Sequence, residues 1–147
     1  MMKVKVKKLT EEAIVPKYAT VGSACFDLHT YHGGELSEEN GQKCVFGTGL
    51  SFEIPEGYQM LVFSRSGHGF NSDVRLANCV AVIDSDFRGE VKVKLSRDNN
   101  LGTLSFNKGD RIAQAQIIPV QYVEFEEVYE LSETVRGEGG FGSTGVR

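Results

Sequence analysis

Apolar and polar residues alternate along much of this chain with a period of two. Lys3-Val4-Lys5-Val6-Lys7 and Val91-Lys92-Val93-Lys94-Leu95 each send valines to one face and lysines to the other, the pattern of a half-buried strand. Thr48 to Ile54 reads as a strand ended by Pro55-Glu56-Gly57, and Tyr58 to Phe63 as the next. Arg111 to Val123 reads as a long, mostly apolar strand region with a bend at Pro119, which has no amide hydrogen for a ladder. Helical periodicity is weak, and one short helix is expected around Arg65 to Asn71. Glycines interrupt these runs at the intervals of sandwiches and barrels. The pattern predicts an all-β fold, a compact jelly-roll-like barrel or sandwich.

Composition narrows the picture. The 147 residues suffice for one domain with one core. No apolar run approaches a membrane span, and the Lys-Val alternation of the first residues is unlike a signal peptide. A soluble, cytoplasmic protein with no membrane partner is the expectation. Cys25, Cys44 and Cys79 have neither C-x-x-C spacing nor even pairing, and His29, His32 and His68 do not join them at zinc-ligand spacing. They read as small buried hydrophobes and surface imidazoles. The net charge of −4, with no basic cluster, argues against a nucleic-acid partner. An anionic ligand would have to be met by a few placed arginines, backbone amides and a metal ion, which suits a small phosphate ester.

Five segments carry candidate chemistry. The last stretch, 136–147, is too glycine-rich for a strand, and by composition it is a flexible arm separate from the barrel of residues 1–135. It lacks the lysine and the following helix of a Walker loop, yet it sets Phe141 among glycines, with Arg136 upstream and Ser143-Thr144 downstream. Such a segment can close over a nucleotide, ring on base and guanidinium on terminal phosphate. Asn78 to Glu90 reads as a hairpin whose turn carries Asp84, Asp86 and Phe87. An Asx-rich turn explains it structurally, while an Asp at the end of a buried strand also suits a base that activates water. Ser64-Arg65-Ser66-Gly67 follows a strand and opens the short helix, either as an ordinary N-cap by Ser64 or Ser66 or as an anion site. Lys108 to Gln114 is a turn leading into a strand. Ser23 to Leu28 places Asp27 in an apolar strand, where the charge needs an Arg, backbone amides or a hydrated metal as its partner.

Taken in order, Ala24-Cys-Phe-Asp-Leu28, Ser64-Arg-Ser-Gly67, Ile83-Asp-Ser-Asp-Phe-Arg-Gly89, Gly109-Asp-Arg-Ile-Ala-Gln114 and Arg136-Gly-Glu-Gly-Gly-Phe-Gly-Ser-Thr-Gly145 resemble the five motifs of the trimeric dUTP pyrophosphatases. The resemblance spans nearly the whole chain. It implies a homotrimer of distorted jelly-roll barrels, with active sites between subunits and the arm of one chain folding over the site of another. The implied reaction is Mg2+-dependent hydrolysis of dUTP to dUMP and pyrophosphate by water attack at the α-phosphorus, which limits uracil in DNA and supplies dUMP for thymidylate synthesis.

By the same resemblance, Asp84 holds the deoxyribose 3′-hydroxyl and helps activate the water. Asn78 and the backbone from Ala81 read the uracil edge, and Phe87 lies beneath the sugar and blocks a 2′-hydroxyl. Ser66, Gly67 and Gln114 meet the phosphates near the α–β bridge. Arg65 and Arg136, with Ser143 and Thr144, meet the γ-phosphate, while Phe141, followed by Gly142, covers the uracil. Asp27 holds magnesium through its waters. Four positions depart from the usual pattern: Phe87 stands for Tyr, Cys25 and Ala81 each for Gly, and Ser64 for Pro. The related dCTP deaminases carry a glutamate on the strand after the third motif, where this chain has Lys94. A rival of another class is a non-catalytic trimer that senses nucleotide or binds a protein through the same surface.

Overall fold

The computed structural model describes residues 2–145. Its regular structure begins with β1 (Lys5–Lys8), β2 (Phe26–His29), β3 (Gly34–Leu36), β4 (Lys43–Gly47), β5 (Leu50–Glu53) and β6 (Tyr58–Phe63). It continues through α1 (Ser66–Ser72), β7 (Val74–Leu76), β8 (Val80–Ile83), β9 (Lys92–Arg97), β10 (Leu104–Phe106) and β11 (Arg111–Pro119). All strand pairings are antiparallel. One sheet has the order β2-β11-β6-β8 and a second the order β4-β9-β7, with β1-β5 and β10-β3 as two-stranded ribbons. The all-β, jelly-roll-like expectation holds.

The alternating pattern explains how the sheets find each other. Val93 and Leu95 of β9 are buried while Lys92 and Lys94, which alternate with them, are exposed. Phe46, Val74 and Leu76 join them from the same sheet. Leu28, Met60, Val62, Ile112 and Ala115 supply the facing layer, all within 1 % of complete burial. Each such side chain contributes roughly 1.5–3 kcal/mol by leaving water. The β1-β5 ribbon is tied to the β4-β9-β7 sheet at one corner, where Thr48 Oγ1 donates to Val91 O (2.7 Å) and Val91 N–H donates to Leu50 O (2.9 Å).

Three sequence expectations change. Asn78 to Glu90 is not a hairpin: β8 pairs with β6 in one sheet, while β9 pairs with β4 and β7 in another. Alternation marks a strand and its buried face but not its partner, so two neighbouring strands can diverge into separate sheets. The long strand ends at Pro119 instead of continuing to Val123. Val120 N–H still reaches Gly57 O at 2.8 Å, and beyond it no hydrogen bond joins the described tail to the barrel. Finally, none of the three cysteines is fully buried: Cys25 and Cys44 are half-buried and Cys79 is exposed. The three imidazoles are half-buried rather than superficial.

Candidate active site

Asp27 carries the ion pairs of the site. In β2 it lies opposite Gln114 of β11, beside a register break between Arg111 and Ala113. Its Oδ1 accepts from Arg65 Nε at 3.0 Å and its Oδ2 from Arg111 Nη1 at 3.4 Å. The Asp27 and Arg65 side chains are 16 % and 22 % exposed, so the pair is largely withdrawn from water and removing one partner would strand the other. Of the partners the sequence allows, the structure supplies arginine, and it supplies two.

The pair fixes the segment that follows β6. Arg65 is the extended residue before α1 and gives the helix no side-chain cap. Neither Ser64 nor Ser66 caps it either. Ser64 Oγ instead accepts from Leu76 N–H (2.9 Å), and Gln114 Nε2 donates to Ser64 O (2.9 Å). The strand end is therefore tied to β7 and β11 on both sides, leaving the exposed Ser66 and Gly67 at the start of the helix. Arg65 uses Nε on Asp27, and its Nη groups bond no acceptor among the described residues.

Two imidazoles sit beside this cluster. His68 packs edge-on to Phe106, with centroids 5.3 Å apart. Burial holds it below the ordinary histidine range; the Arg65 and Arg111 charges add to the shift, and Asp110 and Asp27 oppose it. Burial also lowers His29, against the opposing charge of Asp27 and with Arg111 and Arg65 adding to it. Neither Nδ1 has a hydrogen-bond partner among the described residues, an arrangement that favours the neutral ring. The Cys25 thiol nearby is pushed up by burial and by the charge of Asp27.

Asp84 follows β8 in a compact turn. Phe87 N–H donates to Asp84 O at 3.2 Å. The Arg88 guanidinium donates to Ser85 O (2.6 Å) and Phe87 O (3.1 Å), while Arg88 O accepts from Ser51 Oγ (2.6 Å). The turn is thus clipped from within and anchored to β5. The Phe87 ring lies over Gly89 so closely that a Cβ there would sit 2.6 Å from its Cζ, which explains the glycine. Asp84 is exposed, and its carboxylate bonds no described residue. Arg88 and Arg111 fall within the motifs, but no local sequence pattern assigns either a role. Only the fold shows which carbonyls and carboxylate they meet.

The predicted residues are not gathered in one place. Asp84 lines a cleft of about 530 Å³ with Tyr58, Glu56 and Tyr122. Asn78 and Ala81 line another of about 330 Å³ between β8 and β9. Arg65 and Ser66 border a third, open hollow with Phe70. The described part of the arm, 136–145, lines none of them: Arg136 Nε is turned back onto Gly139 O (2.7 Å), Ser143 N–H donates to Gly140 O, and Phe141 is fully exposed. Gly142 takes φ +91°, and Ser143 and Thr144 are exposed with it.

Known proteins resemble this chain in sequence and fold. The dUTPase family model matches residues 11–145. A protein of Nautilia profundicola named deoxyuridine 5′-triphosphate nucleotidohydrolase is 46 % identical over 144 residues, 98 % of this chain and 99 % of its own. One of the same name from Anaplasma marginale is 43 % identical over 150 residues, 99 % of this chain and all of its own. The dUTPase of Staphylococcus bacteriophage 80alpha, solved with dUPNHPP, superposes with a TM-score of 0.89 at 28 % identity, covering 99 % of this chain and 100 % of that one. On the family match and these relatives together, the chain belongs to the dUTPase family.

Proposed function

We propose that this chain hydrolyses dUTP to dUMP and pyrophosphate, with magnesium, at sites shared between the subunits of a homotrimer. The observation that carries the reading is Asp84: an exposed carboxylate, free of partners among the described residues, on a turn clipped by Arg88 and Ser51. Structural carboxylates are normally paired, as Asp27 is, whereas a base must stay available for water and for a sugar hydroxyl. Asp84 takes the proton of the attacking water and bonds the 3′-hydroxyl. Phe87, pinned over Gly89, forms the floor of the sugar site. Asn78 and the backbone at Ala81 receive the uracil in the cleft they line.

The triphosphate lies against Ser66 and Gly67, with Gln114 alongside and the free edge of Arg65 directed to the γ-phosphate. Arg136, Ser143 and Thr144 add donors when the arm closes, with Phe141 and Gly142 over the base. Closing the arm excludes water and strengthens each of these charge contacts. Magnesium fits in one form only. The described residues contain no group of three or more metal-ligating side chains, and both Asp27 oxygens are already held by arginines. Asp27 therefore suits a hydrated ion carried by substrate oxygens, met through water. When bound, the ion neutralises phosphate charge as the α–β bond breaks.

The shared site is supported by the separation of the clefts and by the tail. Residues 120–135 expose Phe125, Tyr129, Leu131 and Val135 almost completely, and an apolar hollow lined by Val4, Val6, Phe26, Phe52 and Ile117 stands open at the N-terminal edge. Apolar surface of this extent is the usual signature of an interface. Pyrophosphate release from dUTP, dTTP, UTP and dCTP, compared with magnesium present, tests the proposal. Preference for dUTP supports it. Equal turnover of UTP would remove Phe87 as the sugar gate, and no release from any of them would favour a nucleotide-sensing trimer.

A further inference from the structure

Arg88 shares the turn after β8 with two aspartates, Asp84 and Asp86, yet it forms no ion pair among the described residues. Its guanidinium is spent on backbone instead: Nη1 donates to Ser85 O at 2.6 Å and to Phe87 O at 3.1 Å. Those two peptides adjoin the groups of interest, since Ser85 follows Asp84 and Phe87 carries the ring assigned to the floor of the sugar site. The turn's own backbone bond, from Phe87 N–H to Asp84 O, is longer at 3.2 Å. Arg88 is also tied outward: its carbonyl accepts from Ser51 Oγ at 2.6 Å, and Ser51 is a buried residue of β5 paired with Lys7 of β1. Phe87 has no hydroxyl with which to fix its ring. The ring's place over Gly89, where it leaves no room for a Cβ, therefore depends on packing and on how its peptide is held. A single planar cation thus joins two peptides of the turn and leaves the Asp84 carboxylate unpaired.

We propose that Arg88 is a positioning residue that sets turnover and sugar discrimination together, by holding the Asp84 base and the Phe87 ring in one fixed geometry. This rests on the reading that Asp84 activates water and Phe87 floors the sugar site. Residues 84 and 87 lie on one short exposed turn, and without a clip its backbone regains conformational freedom. A base displaced by about 1 Å can lose about a hundredfold in rate, and a ring that drifts off Gly89 opens space for a 2′-hydroxyl. Both faults follow from the same lost clip, so they should appear together. The grip on substrate lies elsewhere, at Arg65, Ser66, Gly67 and Asn78, so affinity for dUTP should be spared. An ion pair between Arg88 and Asp84 would do the reverse, fixing the turn while occupying the base.

The test measures kcat and KM for dUTP and UTP in the wild type, Arg88→Ala and Arg88→Lys, with urea midpoints alongside. Arg88 is exposed, so neither variant opens the core. Arg88→Ala is expected to lower kcat for dUTP by about tenfold to a hundredfold while KM stays within about twofold. The same change should raise the UTP:dUTP ratio of kcat/KM by about tenfold. Guanidinium ion at millimolar concentration should restore part of both to Arg88→Ala, since the donor site is open to solvent, and should leave the wild type unchanged. Arg88→Lys should fall between, because an ammonium donates but lacks the fixed fork. A drop in kcat with the ratio constant, a shift in the ratio with kcat constant, or no change in either would overturn the proposal. So would a loss that tracks the urea midpoint and ignores guanidinium, the mark of general loosening. A wild type that binds dUTP without hydrolysing it would sink the enzymatic reading alone. Calorimetric binding of dUTP and UTP to the same proteins would then decide the hold on Phe87, and a ratio unmoved by Arg88→Ala would overturn it. A wild type that binds neither nucleotide would sink both.

Discussion

The barrel and the tail are built from similar proportions of apolar residues and fold in opposite ways. In the barrel, strands such as β6 and β9 bury every second residue, and Phe46, Leu28 and Met60 lose all contact with solvent. In the tail, Phe125, Tyr129, Val135 and Phe141 keep nearly all of theirs. The barrel carries its own partners in sequence: each strand finds an antiparallel neighbour within the chain. The tail has aromatic and aliphatic groups but no second layer to receive them. On the proposed reading its apolar positions serve surfaces outside the subunit, another copy of the chain for residues 120–135 and bound nucleotide for Phe141.

The largest expected separation between the two regions is in turnover. Ending the chain after Val135 should lower the dUTP rate by more than about a hundredfold, as loss of positioning and water exclusion does, with no change in the melting temperature of the barrel. An unchanged rate would return the arm to the status of a linker. Asp84→Asn belongs at the same level: it should abolish turnover while nucleotide binding stays within a few-fold, and a near-normal rate would remove Asp84 from the chemistry.

Stability should divide the regions the other way. Phe46→Ala is expected to cost about 3–5 kcal/mol, because it empties a fully buried site between the sheets. Phe125→Ser and Tyr129→Ser should leave the urea midpoint of isolated subunits unchanged and instead weaken association, read as a dilution-dependent loss of the trimer in sedimentation. A loss of monomer stability from the tail variants would mean that the tail packs on its own barrel.

The smallest expected effect concerns the imidazoles. His29 and His68 titrate below the ordinary value of 6.5 in the folded chain. The unfolded chain therefore takes up protons first as pH falls. Stability should be full above that value and decline as pH drops below it toward the folded pKa values. His68→Phe should flatten part of that decline in urea midpoints taken across the histidine range, and an unaltered slope would assign it to other groups.

What the sequence disclosed follows the same division. Tyr58 to Phe63 was legible as β6 to the residue, because its turn residues and alternation agree with its pairing. The need of Asp27 for a partner was legible from burial cost, whereas its pairing with Arg65 and Arg111 was not, since it depends on a β2–β11 register that no local pattern encodes. The divergence of β8 from β9 was invisible for the same reason. The motif order pointed to the chemistry, but the distribution of Asp84, Asn78 and Arg65 over separate clefts emerges only in three dimensions.

The central claim is that one chain's Asp84 works beneath another chain's arm, and complementation tests it most directly. Trimers would be assembled from equal amounts of Asp84→Asn chains and chains ending at Val135, each inactive alone, and assayed for pyrophosphate release from dUTP. The account expects activity to reappear in the mixed trimers, because some sites then combine an intact Asp84 with an intact arm. Mixed trimers confirmed by mass that remain as inactive as their parents would show that arm and base must come from the same chain, and would contradict it.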